Sequence, residues 1–516
     1  MIALASLYLV DARRIYKPTG WLAERLTLPC KIAATFGDGP RMFGKEVTMY
    51  VPQETFGMRN FGQVDLGDRR RTARLVETVD RMCRHPGGTL PDKLNRPADL
   101  RAFYRLMNRS ETTHEVLIQS HAACTRACIA ALGSGVVLVL HDATELDYTK
   151  KLCLKDQLSQ IGQGTHRGYV CHNSLAVRAD TGAVLGLTSQ ILHRRAYVPE
   201  KETLKEMRER TNRESRLWVQ AAAATGMAPA AVQCVDISDS LSDTFEYMAY
   251  ELTHNRYFVL RSREDRRLET PVAKHDYLYA AVRATPASGQ RALRILAGPG
   301  RSARTTTVKV AFTLVRLAPP GKRHGDYDKF PLELWAVRIW EPRPAKGEEP
   351  LEWILLTNVA VDTHADAEQR VDWYEKRPII EEYHKGMKTG CSIEAMKFES
   401  TERLEPAIAV LSVVATTLLQ LRDAARAPDA EKRLASAVID PIYVAVLANH
   451  YGNRLGRAPT ILKFYMHVAR LGGHQNRKVD GMPGWLTLWR GWMKLQAMVD
   501  GYHAARPKNR FRCGNN

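Results

Sequence analysis

The 516-residue chain lacks several features that would place a protein in a class at once. Its nine cysteines are dispersed, without the paired spacing of a zinc site or the density of a disulfide-stapled secreted domain. Cys124 and Cys128 lie one helical turn apart, which is more typical of core residues than of metal ligands. An odd, scattered set of thiols indicates a reducing compartment, so we expect a cytoplasmic protein.

Long uncharged hydrophobic runs are also missing. Residues 1–10 are apolar, but they are too few to span a bilayer and no positive flank precedes them. No other stretch reaches membrane length without charge, and internal repeats and low-complexity tracts are not evident. We therefore expect no membrane partner.

Negative charge is scarce relative to positive charge. The 75 Lys and Arg residues exceed the 56 Asp and Glu residues, which gives a formal net charge of +19. The excess is spread along the chain, and this favours an extended footprint on a polyanion such as DNA over a basic tail. The length is sufficient for several domains and a sizeable core.

The most informative stretch runs from residue 373 to 390. In it Tyr374, Arg377, Glu381 and Lys388 are three, four and seven residues apart. At about 100° per residue they share one stripe of a helix. The stripe combines a metal-binding carboxylate with a phenol, a guanidinium and an ammonium, which suit phosphate. Taken alone, the pattern is more typical of a solvated face of mixed charge.

Proline interrupts this stripe. Pro378 disfavours a helical conformation in the residue before it but is comfortable in the first turn of a helix. We therefore predict a short helix that ends at Tyr374, a kink, and a second helix that starts at Pro378 and carries Glu381 and Lys388.

Further acids stand at the ends of predicted strands. Asp142 follows the apolar run at residues 135–140, and both Asp236 and Asp239 lie at the end of a second run. An acid after a strand is most often a turn or helix-capping residue. Two such acids together with Glu381 make a two-metal site more plausible, because that site needs carboxylates from distant parts of the chain.

Together these residues resemble the insertion-sequence-four type of cut-and-paste DNA transposase, the group that includes the transposase of transposon five. The resemblance covers about residues 55–505, and segments 61–76, 141–146 and 469–473 carry it beside the spaced Tyr, Arg, Glu and Lys. It implies a ribonuclease-H-like α/β core. It also implies two Mg²⁺ ions, which Mn²⁺ can replace, bound by the catalytic acids Asp142, Asp239 and Glu381.

The resemblance extends to other positions. Asp239 is favoured over Asp236 as the second acid, because Asp243 and Tyr247 follow it at the family's spacing. Trp353 is expected to stack on a flipped-out base, although without the resemblance a core tryptophan is the better interpretation. Four residues are expected to contact phosphates: Tyr374, Arg377, Lys388 and Arg261. For Arg261 an ordinary charge at a sheet edge fits equally well.

The expected domains follow in order. Residues 1–48 are an unmatched N-terminal extension, with Met49 and Met58 as alternative starts, and residues 49–130 form a helical DNA-binding domain. Residues 131–395 form the catalytic domain, with a β-rich insertion at about 255–365, and residues 396–516 form a helical dimerisation domain. A helix capped by Asp68 is expected to present four basic side chains to phosphate: Arg69, Arg70, Arg71 and Arg74. A basic helix that is merely exposed to solvent fits the sequence as well.

The implied function is a DNA transposase, which is a metal-dependent endonuclease and strand transferase. It would nick the ends of an insertion sequence, form and open a hairpin, and transfer strands. Its partners would be double-stranded DNA, the terminal inverted repeats of its own element, target DNA and a second copy of itself. Two alternatives stay open: a transposase-derived DNA-binding protein that no longer cuts, and a nuclease on the same core.

Overall fold

The computed structural model describes residues 54–195, 201–203, 206, 209–295, 304–321, 329–344, 347, 350–477 and 480–505. The extension expected at residues 1–48 lies outside these residues. The described chain is a mixed α/β protein built on a 12-stranded sheet.

Five helices precede the sheet: α1 (Phe56–Phe61), α2 (Arg69–Arg84), α3 (Leu90–Lys93), α4 (Pro97–Met107) and α5 (His114–Ala131). Side-chain caps mark starts among these helices: Thr55 accepts a hydrogen bond from the Met58 amide, Asp68 from the Arg70 amide and Thr113 from the Val116 amide. The helices predicted from Arg69, from residue 98 and from His114 are confirmed.

The strands of the described sheet are β1 (Val136–Asp147), β2 (Ser159–Gln160), β3 (Arg167–Arg178), β4 (Val184–His193), β5 (Gln233–Ser238), β6 (Tyr257–Arg261), β7 (Arg267–Val272), β8 (His275–Tyr277), β9 (Gly289–Ile295), β10 (Arg304–Leu317), β11 (Leu332–Trp340) and β12 (Glu352–Thr357). Their order is β2-β3-β1-β5-β6-β12-β11-β10-β7-β8, with β4 beside β3 and β9 beside β10. Strands β1, β5 and β6 are mutually parallel, and β3 is antiparallel to both β1 and β4.

The strands between β6 and β12 continue this sheet and do not form a separate one. Strand β12 pairs with β6, and β11 and β10 follow outward. The strands predicted at 257–261, 307–317 and 334–340 are confirmed, and the one predicted at 292–296 is β9, which is described to residue 295.

Helices cover both faces of the sheet. On β6, Val259 packs into the larger core, whereas Phe258 and Leu260 pack into a second core. The larger core contains α9 (His364–Tyr374), α10 (Pro378–Lys385) and α11 (Thr401–Thr416), and the second contains α6 (Leu217–Thr225), α7 (Phe245–Thr253) and α8 (Leu278–Ala284). This two-sided burial explains the continuous apolar runs of the central strands.

One predicted helix is interrupted. The charged segment from about Glu202 to Ala224 was expected to be helical, and Glu206 and Glu209 are helical, but residues 210–213 are not, and α6 begins at Leu217 after a 3₁₀ turn at Glu214–Arg216. Residues 210–213 are strongly polar and have no apolar stripe to bury, so they gain little from a helix packed on the sheet.

The last helices are α12 (Gln420–Arg426), α13 (Pro441–Tyr451), α14 (Ile461–Leu471) and α15 (Trp485–Ala505). The run Thr401–Arg426 is long and apolar enough to cross a membrane, but 94% of its apolar window is buried inside the protein. It is therefore the buried core helix that the apolar residues 407–421 predicted.

Candidate functional site

Strand register brings two of the predicted acids together. The last paired residues of β1 and β5 are His141 and Ser238. Asp142 and Asp239 come next along the two strands and therefore lie side by side where β5 ends. Asp142 was predicted at the end of its strand, but it lies inside β1, which continues to Asp147 because its second half pairs with β3. Ser238 also pairs with Leu260 of β6. The next residue of β6, Arg261, therefore lies beside Asp239 in the same row. This row lies at the carboxyl ends of β5 and β6, where open α/β sheets commonly place their ligands.

Helices α9 and α10 supply the third acid. Helix α9 ends at Tyr374 and α10 begins at Pro378, so the predicted kink is confirmed. Arg377 itself stays in the right-handed helical region, with φ −48° and ψ −42°. Glu381 lies in the first turn of α10.

The guanidinium of Arg377 contacts two of the three acids. Its Nη1 lies 3.7 Å from Oδ2 of Asp142, and its Nη2 donates a hydrogen bond to Oε1 of Glu381. Burial raises the pKa of Asp142 to about 7; Arg377 opposes this rise, whereas Asp239 and Glu381 add to it. Asp239 and Glu381 are thus each close enough to Asp142 to repel its charge.

No group of three His, Cys, Asp or Glu side chains among the described residues has an arrangement that could hold a metal ion directly. Glu381 is engaged by the guanidinium of Arg377 in this structure. An arrangement that binds metal would therefore need Arg377 to release the two carboxylates.

The two candidates for the second acid differ in environment. Asp236 is 1% exposed, accepts hydrogen bonds from Nε2 of His141 (2.9 Å) and Nη2 of Arg256 (2.6 Å), and belongs to the interior. Asp239 is half-buried, and its carboxylate accepts a hydrogen bond from the amide of Leu241 (2.9 Å). The charge of Asp239 is among the largest influences that raise the pKa of Asp142.

The other two residues of the predicted stripe, Tyr374 and Lys388, have different environments. Tyr374 is buried, and its burial raises the pKa of its hydroxyl. The charges of Arg377 and Arg261 lower this pKa and the charge of Asp239 raises it, so these three side chains lie near the hydroxyl. Lys388 was expected on the continuation of α10, but it lies on a π-helical turn at Gly386–Gly390. The i→i+5 bonding of a π turn changes the angular spacing of the side chains.

The ammonium of Lys388 is consequently held by other groups. Its Nζ donates to the backbone oxygen of Glu145 (2.9 Å) and lies 3.2 Å from Oε1 of Glu394. The side chain therefore faces the far end of β1, and the single stripe that ideal helix geometry predicted contains Arg377 and Glu381 but not Lys388.

Trp353 lies on β12 beside the site. Its ring is half-buried, and its centroid is 5.4 Å from that of Tyr374 in an edge-to-face arrangement. Such a contact is typical of packed aromatic pairs. The indole thus has both a partner in the core and an edge open to solvent.

The four arginines at the start of α2 fall into two groups. Arg71 donates to the backbone oxygen of Leu66 (2.9 Å) and to Glu111 (3.0 Å), and Arg74 donates to Glu77 (2.8 Å). These two arginines thus make ion pairs within the helical region. Arg69 and Arg70 are exposed and have no ion pair with another residue of the described chain.

A row of polar residues beside Asp142 was not predicted. Asn173 on β3 and Gln190 on β4 follow Asp142 across the sheet, and His384 on α10 lies above them. Burial lowers the pKa of His384 to about 3, and the positive charges of Lys388 and Arg377 lower it further. The signal for His384 was its place three residues after Glu381, one helical turn away.

Comparison with protein families gives one match for this chain. Residues 53–112 match the family model described as transposase DNA-binding. The matched segment contains α1 to α4 and includes the exposed Arg69 and Arg70. It supports a transposase or another DNA-binding role, and with it DNA as the partner and a DNA-processing enzyme as the class.

Proposed function

We propose that this protein is a cut-and-paste DNA transposase of the insertion-sequence-four type, with Asp142, Asp239 and Glu381 as its catalytic acids. One observation carries the proposal: carboxylates from β1, from the end of β5 and from α10 approach one another in a chain whose residues 53–112 match a transposase DNA-binding family.

The sheet topology supports a ribonuclease-H-like core for this enzyme. The strand order β4-β3-β1-β5-β6, with three antiparallel strands followed by two that are parallel to β1, is the arrangement expected of that fold. Strands β7 to β11 separate Asp239 from Glu381 in sequence but lie farther out in the same sheet. They therefore fit the β-rich insertion of the proposed catalytic domain.

The donor set suits divalent ions that prefer oxygen. Three carboxylates concentrate negative charge at one place, and the raised pKa of Asp142 reflects burial together with that repulsion. Arg377 is the cation that offsets part of this charge in the present structure. Mg²⁺ and Mn²⁺ both take carboxylate oxygens, so Asp142, Asp239 and Glu381 would hold them.

Two bound ions would activate a water or 3′-hydroxyl and stabilise the leaving oxygen of a phosphodiester. The chain's own cations have the complementary task. Arg377, once released by the acids, and Arg261 would hold the phosphates next to the scissile bond, with the Tyr374 hydroxyl between them. Arg69 and Arg70 would hold flanking double-stranded DNA.

The resemblance supplies the finer part of the proposal. The steps would be nicking at the terminal inverted repeats, hairpin formation and opening, and strand transfer into target DNA in the cytoplasm. Trp353 would stack on the base that flips out of the DNA double helix during hairpin formation. Helices α11 to α15 would pair two copies of the chain.

The test is cleavage of the element's own ends by the purified protein with Mg²⁺. Wild type should nick the end, whereas Glu381→Gln should bind it and leave it uncut, because the amide lacks the charge that a metal needs. Glu368→Gln is the matched control, since its carboxylate on α9 pairs with His364.

Other outcomes separate the alternatives. A wild-type protein that binds ends but cuts with neither Mg²⁺ nor Mn²⁺ would contradict the proposal and favour a silent DNA-binding protein. Cutting without strand transfer would favour a nuclease. Cutting by Glu381→Gln at the wild-type rate would remove Glu381 from the site.

A further inference from the structure

We propose that a buried chain of polar side chains, from His114 through Gln190 and Asn173 to His384, orients the carboxylate of Asp142. The inference rests on the proposed function, because it assigns to Asp142 a metal-binding role. The four residues are positioning residues, since they act through Asp142 and not on the DNA.

The sheet itself aligns the middle of this chain. Asp142 is directly opposite Asn173 in the antiparallel pair β1–β3, and Asn173 is directly opposite Gln190 in the pair β3–β4. Directly opposite residues put their side chains on the same face, about 4.5–5.5 Å apart between Cβ atoms. The three polar groups therefore form one row across three strands.

Two histidines from helices complete the row. The Nε2 of His384, on α10, lies 3.1 Å from Nδ2 of Asn173, and its Nδ1 lies 4.0 Å from Oδ2 of Asp142. At the other end, Nε2 of His114, the first residue of α5, lies 3.0 Å from Oε1 of Gln190. Between them, Nε2 of Gln190 donates to Oδ1 of Asn173 at 2.7 Å.

The hydrogen bonds have one direction. Because Gln190 donates to Oδ1 of Asn173, the amide nitrogen of Asn173 is the end that faces His384 and must donate to its Nε2. The proton of the neutral ring is then on Nδ1, which faces Asp142. At the far end Oε1 of Gln190 is an acceptor, so His114 donates. Every N–H of the chain thus points toward Asp142.

Burial fixes this direction. Asn173 is 0% exposed, Gln190 6% and His384 7%, so water cannot easily replace a lost partner. An amide has one donor end and one acceptor end, and flipping either one would leave buried polar groups facing like groups. The Nδ1–H of His384 is therefore held in place by contacts that do not involve the metal or the DNA.

This arrangement matters when Arg377 leaves Asp142 for a phosphate. The Nδ1–H of His384 is a second side-chain donor close to Asp142, and the 4.0 Å between them exceeds the 2.7–3.2 Å of an N–H···O bond by a margin that a carboxylate rotation closes. Hydrogen bonds to metal-binding side chains commonly change metal affinity about 10–100-fold. The row also connects Asp142 to α5, whose Ser120 bonds to Asn60 of α1.

Paired substitutions at His384 test the role. In His384→Asn the amide nitrogen takes the place of Nδ1 and keeps a donor toward Asp142. In His384→Gln the amide oxygen takes the place of Nε2 and accepts from Asn173, but no donor stands at the place of Nδ1. Mn²⁺ binding to the full chain is measured by counting free Mn²⁺ with electron paramagnetic resonance. We expect His384→Gln to raise the dissociation constant about 10–100-fold and His384→Asn less than about threefold.

Controls separate this role from loss of folding. His172→Phe alters an equally buried ring next to Asn173 whose nitrogens have no hydrogen-bond partner within the described part of the chain, and it should leave Mn²⁺ affinity unchanged. If His384→Gln does not fold, His114→Gln and His114→Leu at the half-buried far end replace it. His114→Leu should weaken binding, and His114→Gln should retain it.

The outcomes are distinguishable. Wild-type affinity in His384→Gln, or equal loss in His384→Asn and His384→Gln, would overturn the positioning role alone. The same holds if the fallback His114 pair shows no difference. A wild-type chain that binds no more Mn²⁺ than Asp142→Asn would overturn the proposed function and the positioning role together.

Discussion

Arg377 has two incompatible partners at the residue scale, the acids it contacts here and the phosphates it would bind. Removing its charge should therefore help metal binding and harm DNA cleavage. We expect Arg377→Gln to bind Mn²⁺ at least about tenfold more tightly without DNA, because a unit charge near 4 Å from a carboxylate is worth up to about 4 kcal/mol at an effective dielectric constant of 20.

The same variant should cleave DNA much more slowly than wild type. Isothermal titration with Mn²⁺ and a nicking assay measure the two effects, and Arg178→Gln, at an exposed ion pair with Asp180, is a control. Weaker Mn²⁺ binding by Arg377→Gln would show that Arg377 supports the acids and does not compete for them.

Asp239 and Asp236 should respond differently to the same substitution. Asp239→Asn should abolish cleavage and leave the melting temperature close to that of wild type, because its carboxylate is half-buried at the strand end. Asp236→Asn removes the nearer of two carboxylates beside the buried Arg256, the other being Glu251 at 3.4 Å, and breaking such a buried pair typically costs about 3–5 kcal/mol of stability. Calorimetry measures the stability of both variants and a nicking assay measures their activity. A stable but inactive Asp236→Asn together with an active Asp239→Asn would make Asp236, and not Asp239, the second catalytic acid.

The raised pKa of Asp142 predicts a pH dependence of metal binding. Below a pKa of about 7 the carboxyl is protonated and a metal must displace the proton, so affinity should fall as the pH falls from 7 to 5.5. Above pH 7 the carboxylate is ionised and affinity should level off. Mn²⁺ titrations between pH 5.5 and 8.5 measure the profile, and Asp142→Asn should flatten it; a wild-type profile with no slope below pH 7 would contradict the role of Asp142.

At the scale of elements, the pair β12 and α9 carries the contact between Trp353 and Tyr374. If Trp353 stacks on an unpaired base, Trp353→Ala should slow hairpin formation more than first-strand nicking, because only the hairpin step needs a flipped base. Gel assays with the element end resolve the two steps. A packing role predicts instead that both steps fail together with a loss of about 3–5 kcal/mol of stability.

Helices and strands were largely predictable, because they depend on local signals. The cap at Asp68, the break before Pro378 and the apolar run at residues 407–421 each fix an element from nearby residues. The π turn at Gly386–Gly390 was not predictable from an ideal helical period, and neither were the contacts of Lys388 with Glu145 and Glu394.

The residues of the candidate site were predictable only at positions that match the motifs of the transposase family. Asp239 follows β5 and Asp142 lies within β1, and their approach depends on the parallel register of these two strands, which no local pattern reveals. The polar row depends on register across three strands, and neither Asn173 nor Gln190 has a sequence signal of its own. Arg71 and Arg74 looked as basic as Arg69, and only the position of Glu111 and Glu77 distinguishes them.

At the scale of the whole molecule, a formal charge of +19 predicts DNA binding that weakens steeply with salt. Arg69→Gln with Arg70→Gln should lower the slope of log affinity against log salt by roughly two, because two phosphate contacts are lost. Fluorescence anisotropy at several salt concentrations measures the slope. The matched double variant Arg403→Gln with Arg178→Gln, far from α2 in sequence, should leave it unchanged; equal slopes for wild type and the α2 variant would remove this helix from the DNA interface.

Iron-directed cleavage of the polypeptide tests most directly whether the three carboxylates hold one metal cluster. Fe²⁺ bound in place of Mg²⁺, with ascorbate and peroxide, cuts the backbone beside its ligands. We predict cuts close to Asp142, Asp239 and Glu381, all suppressed by excess Mg²⁺ and all lost in Asp142→Asn. Cuts at only one of these segments, or cuts that neither Mg²⁺ nor Asp142→Asn affects, would contradict a shared metal site.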